Sequence, residues 1–413
     1  MSQPTQADPR QLAASLVAAV ITEAQMLSDV ALPNADPAIR ARAQRLALST
    51  LRNMSRADAV LGPHLRKEPP DAVMAALRVA TVEMLELGAP AHGVVNATVS
   101  ALRAQKKTVP LAGMANAVLR RASEFEGWAD LPKQRLPGWL RRRLKGIYGE
   151  DAVSAIEAAH RDTPAIDVTL KPGAQNLPDG EYLPGGSLRM AAGVQVSALP
   201  GFETGDWWIQ DAAAALPATL LAVQPGERVL DLCAAPGGKT MQLAAAGATV
   251  TALDLSGPRL KRVRENLNRT GLNAEIITGD ALIWESDAPF DAILLDAPCS
   301  ATGTIRRHPD LPFIRKPGDV AALVELQAQM LDRALTLLKP GGRIVYCTCS
   351  LLPDEGEAQI EAALTRHPGL KPLPLPEMPF GRATEEGGWR TLPYDLPGGN
   401  DGFYMALLCL DAR

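Results

Sequence analysis

The stretch ERVLDLCAAPGGKT (residues 227–240) decides the fold class. Its first half, with Val229, Leu230 and Leu232, is typical of a buried β-strand, and its second half is a glycine-rich turn. From about residue 206 this pattern of strand, turn and helix repeats, which predicts βαβ order and a mostly parallel sheet with helices on both faces. Because ligands of such sheets bind beyond the carboxyl ends of the strands, the turn is a candidate binding loop.

The remaining pattern divides the chain into three predicted parts. Residues 206–413 form the α/β part, with further strands in ATVTALDL, AEIITGD, FDAILLDA, GRIVYCTC and the closing DGFYMALLCL. Residues 1–135 repeat apolar residues at three- and four-residue spacing between Pro and Gly, which predicts an all-α domain of six or seven helices. Residues 136–205 begin with a basic helix, LPGWLRRRLKGIYG, become rich in Pro and Gly, and are predicted to connect the two.

Composition bounds the class of protein. The 413 residues are 46% hydrophobic, which suits two or three packed domains and argues against disorder. The N-terminus lacks the features of a signal peptide, so we expect a cytoplasmic protein with no membrane partner. The cysteine count of five is odd, which predicts free thiols, and the absence of a C-x-x-C pair argues against a metal site. Residues 1–150 carry 20 Lys and Arg against 13 Asp and Glu, which suits either a phosphate-binding surface or a solvated helical one.

Three ligands compete for the glycine-rich turn. A P-loop requires G-x-x-x-x-G-K-[ST], but Cys233 stands where the first glycine is needed, and the G-x-G-x-x-G of dinucleotide sites is missing. The third candidate is S-adenosylmethionine, whose methionine part the backbone could approach at Gly237 and Gly238. Asp254 ends the second strand and would accept from the ribose hydroxyls, while Asp280 ends the third, near the adenine amine. Either acid alone could cap the following helix, but the ordered set favours S-adenosylmethionine.

Cysteines stand at two further strand ends. The fourth strand ends in DAPCSATG (296–303), with Asp296 and Cys299, and the fifth ends in CTCS, with Cys349. Adjacent strands would bring Cys299 and Cys349 to the same crevice. A lone cysteine there is usually a small buried hydrophobe, but two at the ligand-facing ends predict chemistry.

A thiol and a methyl donor belong together in the methylation of cytosine. Carbon 5 of the ring is a poor nucleophile until a thiolate adds to carbon 6 and makes carbon 5 enamine-like. Asp296 could protonate or hydrogen-bond ring nitrogen 3, and a second group must help to release the product. Since few thiols are ionised at neutral pH, the site must activate one, and Lys239 could lower a thiol pKa or orient Asp296.

Several motifs together resemble the RsmB/Sun family of RNA (cytosine carbon-5) methyltransferases: CAAPGGKT, DAPCSATGTIRRHPD, LKPGGRIVYCTCSLLPDE and DGFYMALL. ALRVATVEMLELGAPAHGVVNATVSALR followed by GMANAVLRRASE is similar to the NusB-like domain at the front of bacterial ribosomal RNA members. The resemblance is weakest over 1–40 and 163–205. It implies a Rossmann-like S-adenosylmethionine-dependent methyltransferase domain preceded by an all-α NusB-like RNA-binding domain.

The resemblance also implies roles for individual residues. Cys349 would attack the ring and Cys299 would release the product, although DNA cytosine methyltransferases use the cysteine of the Pro-Cys motif as nucleophile. Cys347, where relatives often carry Ser or Ala, could be packing or a backup thiol. The implied cofactor contacts are Cys233, Ala234, Ala235, Pro236, Gly237, Gly238, Lys239, Asp254, Arg259, Asp280 and Asp296.

The implied substrate is a single-stranded or flipped cytosine in small-subunit (16S) rRNA, since a stacked base cannot reach a thiol. The basic first domain and Arg141–Arg143 would hold phosphates. Arg306, Arg307 and His308 would contact the nucleotide or lie in a solvated loop. Methylation of another RNA such as tRNA, a non-catalytic ribosome-assembly factor and a thiol redox protein are the alternatives. A protein partner of the NusB-like domain stays open, and a monomer is expected.

Overall fold

The computed structural model describes residues 8–32 and 35–411. Residues 1–7, 33 and 34 of the predicted first part and residues 412 and 413 of the predicted last part lie outside the described residues. The chain forms two compact units: residues 1–143 with 308–315, and residues 144–307 with 316–413. The three-part division itself stays a prediction. Within the described ranges, no helix combines the length and the apolar character needed to cross a membrane.

The α-helices follow one another along the whole described chain. They are α1 (Pro9–Glu23), α2 (Pro37–Arg52), α3 (Met54–Leu61), α4 (Asp71–Leu85), α5 (Ala91–Arg103), α6 (Ala112–Ser123), α7 (Gly138–Ala159), α8 (Ala212–Leu221), α9 (Gly238–Ala245), α10 (Gly257–Thr270), α11 (Leu311–Ile314), α12 (Pro317–Leu337) and α13 (Glu357–Arg366).

The strands all belong to the second unit. They are β1 (Ile166–Leu170), β2 (Glu181–Tyr182), β3 (Leu188–Met190), β4 (Trp207–Ile209), β5 (Arg228–Leu232), β6 (Thr249–Asp254), β7 (Glu275–Thr278), β8 (Phe290–Asp296), β9 (Leu338–Thr348), β10 (Leu370–Pro372), β11 (Arg382–Ala383), β12 (Trp389–Thr391) and β13 (Phe403–Leu410).

The first unit is helical, as the spacing of its apolar residues predicts. Asp8 and Asp36 cap α1 and α2 by accepting from the backbone N–H groups of Arg10 and Ala38, each at 2.8 Å. Helix α4 is apolar on almost every side and packs against α1, α2, α3, α5 and α6. A helix of this kind lies at the centre of its bundle. The all-α prediction is confirmed.

The second unit contains a small antiparallel sheet and a large mixed one. The small sheet has the order β2-β3-β1-β4; its first three strands come from the Pro- and Gly-rich part of the predicted connecting segment 136–205, and β4 comes from the start of the predicted α/β part. The large sheet has the order β11-β12-β13-β9-β8-β5-β6-β7, parallel from β9 to β7, with β13 antiparallel to β9. The predicted Rossmann-like fold is confirmed, and the carboxyl ends of β5, β6, β8 and β9 meet at one edge.

Candidate active site

The glycine-rich turn joins β5 to α9 at this edge of the sheet. Cys233 and Gly237 have left-handed backbone angles, with φ of 64° and 100°. A Cβ atom on Gly237 would also lie 3.1 Å from Cγ1 of Val263, so this position requires glycine. The N–H groups of Cys233 and Ala234 both donate to the carbonyl of Leu253, at 2.9 and 3.2 Å. The turn is therefore fastened to the end of β6.

Asp254, the last residue of β6, is tied to the same turn. Its Oδ2 accepts from the N–H of Ala235 at 3.1 Å and its Oδ1 from the N–H of Ser256 at 2.9 Å. Ser256, rather than Asp254, caps α10. Arg259 donates to the carbonyl of Ala235 at 2.6 Å and lies 3.7 Å from the Asp254 carboxylate. The predicted cofactor residues Ala235, Asp254 and Arg259 therefore form one connected group.

Asp280 follows β7 and is exposed. Its Oδ1 accepts from the N–H of Leu282 at 2.9 Å, so it stabilises a turn and caps no α-helix. Two large apolar side chains stand beside the strand-end acids and were not singled out from the sequence: Leu255 is 73% exposed and Ile283 is 76% exposed. The sequence did contain a signal for them: Leu255 directly follows the strand-end acid Asp254, and Ile283 lies three residues after Asp280.

Lys239 is buried beside Asp296 at the start of α9. Its Nζ donates to Oδ2 of Asp296 at 2.7 Å and lies 5.1 Å from the centre of the Phe403 ring. Although burial opposes the charge of Lys239, the neighbouring Asp296 carboxylate holds its pKa above the ordinary value. Cys347 donates to the other oxygen of Asp296 at 3.5 Å. Two donors therefore fix the orientation of the Asp296 carboxylate.

The two strand-end thiols meet, as the order of the strands predicts. The Sγ atoms of Cys299 and Cys349 are 3.4 Å apart. Cys347 lies near the end of β9 and is fully buried, whereas Cys349, directly after the strand, is only half-buried. The five cysteines are free thiols, as expected.

The surroundings of Cys299, Cys347 and Cys233 oppose the ionisation of these thiols. The hydrogen bond with Cys349, followed by burial and the charge of that neighbour, raises the pKa of Cys299 well above its usual value. Burial, followed by the charge of Asp296, raises the pKa of Cys347 and of Cys233. All three are therefore held as neutral thiols.

Arg306, the first arginine after the Pro-Cys motif, does not lie where it was expected. Arg306 is 1% exposed and pairs with the buried carboxylates of Asp211 and Asp401. Arg307, whose side chain is 38% exposed, also pairs with Asp401. Arg306 is therefore neither solvated nor open to a nucleotide, because two acids from distant parts of the sequence enclose it. His308 belongs to the first compact unit.

The predicted site residues thus fall into two neighbouring groups and one separate acid. Ala235 of the turn contacts both Asp254 and Arg259, and Lys239 links the turn to Asp296. Asp280 is held by its own turn. The sequence analysis did not single out Glu355, the last residue of the LLPDE stretch that follows the Cys349 loop. Its side chain is buried and accepts hydrogen bonds from residues of both cysteine loops. The roles given to these residues stay predictions.

Comparison with known proteins identifies the family. The sequence profile described as 16S rRNA methyltransferase RsmB/F matches residues 218–409, and that of the NusB family matches residues 7–124. Ribosomal RNA small subunit methyltransferase B of Pseudomonas putida is 39% identical, over 97% of this chain and 98% of its own length. Its namesake from Xanthomonas campestris pv. campestris is 37% identical, over 97% and 96%.

A solved structure agrees along the whole chain. The crystal structure of PH0851 has a TM-score of 0.78 and 25% identity, and the match covers 99% of both chains. The chain therefore belongs to the RsmB/F family of rRNA methyltransferases, which use S-adenosylmethionine and act on RNA.

Proposed function

We propose that this protein transfers a methyl group to carbon 5 of a cytosine in small-subunit (16S) rRNA, through a covalent bond between Cys349 and the ring. The observation that carries the proposal is the pair of thiols, 3.4 Å apart at the ends of neighbouring strands. Beside them, Lys239 and Asp296 form a hydrogen-bonded pair at 2.7 Å. One edge of the sheet thus carries the proposed nucleophile Cys349, the proposed release group Cys299 and the pair that would supply a proton.

The same edge carries the residues that we assign to S-adenosylmethionine. Gly237 and Gly238 have no side chains that could project toward a ligand. A Cβ at Gly238 would also come within 3.2 Å of the Gln210 side chain, so glycine fits this position. Asp254 would accept from the ribose hydroxyls, and Asp280 would face the adenine amine. The exposed Leu255 and Ile283 suit the faces of the adenine ring. When bound, S-adenosylmethionine supplies an electrophilic methyl group.

The accessibility of the thiols supports Cys349 as the nucleophile. Cys347 is fully buried, and its burial together with the Asp296 charge disfavours its thiolate by raising its pKa. The pKa of Cys299 is raised as well, and it is 9% exposed. Cys349 is half-buried and can meet a ring that enters from the edge of the sheet. Because the thiolate is the reactive form, Cys349 has the better position for attack.

The proposed reaction uses the two thiols in turn. The Cys349 thiolate bonds to carbon 6, and ring nitrogen 3 takes a proton from the Asp296 and Lys239 pair. Carbon 5, now enamine-like, accepts the methyl group. In this adduct the Cys349 sulfur carries no charge, so two of the causes that raise the pKa of Cys299 are gone, while burial and the charge of Glu355 still oppose its ionisation. Cys299, whose own proton passes to solvent, then takes the carbon-5 proton. As the carbon–sulfur bond breaks, Cys349 leaves as a thiolate and ring nitrogen 3 returns its proton to the Asp296 and Lys239 pair.

The substrate must present its cytosine outside a stacked helix, as single-stranded or flipped RNA. Arg141–Arg143 and the basic residues of the first unit are proposed to hold its phosphates. Methylation of another RNA such as tRNA by the same chemistry is the second candidate. A protein partner of the NusB-like domain, the monomeric state and a cytoplasmic location stay predictions.

Tritium release tests the position of methylation. Small-subunit rRNA carrying tritium at carbon 5 of its cytosines is incubated with the enzyme and S-adenosylmethionine. Methylation at carbon 5 expels that hydrogen, so tritium should appear in water at the rate of methyl incorporation. The same label in tRNA decides between the two RNA substrates. Methyl incorporation with no tritium release would overturn the proposal, because another atom would then be the acceptor.

A further inference from the structure

Glu355 is a buried carboxylate with a full set of hydrogen-bond donors. It is 0% exposed. Its Oε1 accepts from the N–H of Ser300 at 2.8 Å and from Nε2 of Gln327 at 3.1 Å. Its Oε2 accepts from the hydroxyl of Ser350 at 2.6 Å and from the hydroxyl of Ser300. A buried charge is tolerated when every lone pair is engaged in this way.

Three of the four donors come from the two cysteine loops. Ser300 directly follows Cys299, and Ser350 directly follows Cys349. Glu355 therefore holds the residue after each thiol with the same carboxylate, Ser300 through both its N–H and its hydroxyl. Gln327, on α12, donates to the carbonyl of Pro298 at 2.9 Å as well, so it supports the first loop from the other side.

Further hydrogen bonds anchor Glu355 and join the loops. The hydroxyls of Tyr346 and Thr348 donate to the carbonyl of Glu355, at 2.9 and 3.0 Å, which fixes its backbone against β9. The N–H of Gly303 donates to the carbonyl of Cys349 at 2.9 Å. The N–H of Leu351 donates to the hydroxyl of Thr302 at 2.9 Å.

We propose that Glu355 is a positioning residue that sets the separation of the Cys299 and Cys349 thiols by fastening the two loops that carry them. It touches no substrate and acts through Ser300 and Ser350. Its importance for catalysis rests on the proposed function, in which one ring must be within reach of both thiols. A misplacement of about 1 Å in such a pair can cost about 100-fold in rate.

Oxidation by diamide measures the separation directly. Diamide takes up the two hydrogens of a pair of thiols, which become a disulfide while the reagent becomes a hydrazine. In the full-length protein without RNA, the rate at which Cys299 and Cys349 join is followed by peptide mass spectrometry. Glu355→Ala leaves buried donors unpaired and can prevent folding, so the decisive variant is Ser350→Ala, which removes one of the four donors.

The structure predicts that the variants differ in how much they slow disulfide formation. Ser350→Ala should slow formation of the Cys299–Cys349 disulfide about 10-fold. Ser300→Ala should slow it less, because the N–H of Ser300 still donates to Glu355. Thr270→Ala is the matched control: Thr270 is 1% exposed and its hydroxyl donates to the carbonyl of Asn266 at 2.9 Å, away from the thiols. That control should keep the wild-type rate.

Two outcomes would overturn the inference. One is a Ser350→Ala protein that forms the disulfide at the wild-type rate. The other is slow disulfide formation together with wild-type kcat, since the thiol separation would then have no bearing on the reaction. The expected kinetic result is a lower kcat with an unchanged KM for RNA. If Cys349→Ala still methylates RNA, the proposed function fails, yet the diamide rates still decide whether Glu355 sets the thiol separation.

Discussion

Asp231 lies in β5, two residues before the glycine-rich turn, and its carboxyl group is almost fully buried. Thr240 donates to its Oδ2 at 2.6 Å, whereas its Oδ1 has no hydrogen-bond partner among the residues described. Burial raises the pKa of Asp231 to about 7 from an ordinary 3.8. Asp231→Asn keeps the shape of the neutral carboxyl group and removes the titration.

The direction of the pH dependence of the unfolding free energy follows from proton linkage. Because the folded state binds the proton more tightly than the unfolded state, the free energy of unfolding of the wild type falls as the pH rises from 3.8 through 7. At about 1.4 kcal/mol for each pH unit, the full loss is about 4 kcal/mol. About 3 kcal/mol of it falls between pH 5 and pH 8. Asp231→Asn should therefore gain about 3 kcal/mol on the wild type over that interval.

Urea unfolding of both proteins at a series of pH values measures this difference. Asp291→Asn is the control, because the hydrogen bond from Lys339 lowers the pKa of Asp291. Asp291 is then ionised in both folded and unfolded states between pH 5 and pH 8, so the difference from wild type should stay constant there. A constant difference for Asp231→Asn over the same interval would refute the reasoning.

Three further predictions concern the ion pairs, the cofactor residues and the extra thiol. Arg306→Met leaves the buried carboxylates of Asp211 and Asp401 without their shared cation, and should cost about 3–5 kcal/mol of unfolding free energy in urea; a cost below about 1 kcal/mol would contradict this. Asp254→Ala should weaken S-adenosylmethionine binding about 10-fold or more by calorimetry, with the circular dichroism unchanged. Unchanged affinity would remove Asp254 from the cofactor site. Cys347→Ser combined with Cys299→Ala should still form the RNA adduct that Cys299→Ala alone forms on a denaturing gel, and loss of that adduct would make Cys347 the nucleophile.

Local patterns predict the elements that position the site. The strand and turn of residues 227–240 carry their apolar run and glycines in one short stretch, so both appear in the structure where expected. The final strand can also be predicted from its own apolar residues, but its antiparallel pairing with β9 cannot. The segment 308–315 belongs to the first unit, where Phe313 and Ile314 join the apolar core of α1 and α2. Such packing depends on contacts between distant residues, which spacing cannot reveal.

The candidate site shows the same limit. The meeting of Cys299 and Cys349 follows from the adjacency of β8 and β9 alone. The burial of Arg306 does not, because its partners Asp211 and Asp401 come from an α-helix cap and from the segment just before the last strand. The hydrogen bonds of Glu355 likewise could not be predicted from spacing, because they join two loops that are 50 residues apart in the sequence.

Covalent trapping tests the central claim most directly. Cys299→Ala and Cys349→Ala proteins are each incubated with small-subunit rRNA and S-adenosylmethionine and then run on a denaturing gel. Attack by Cys349 and release by Cys299 predict a protein–RNA adduct with Cys299→Ala and none with Cys349→Ala. The reverse pattern would mean that the two thiols exchange roles. Intact methylation by Cys349→Ala, with no adduct from either variant, would contradict the account.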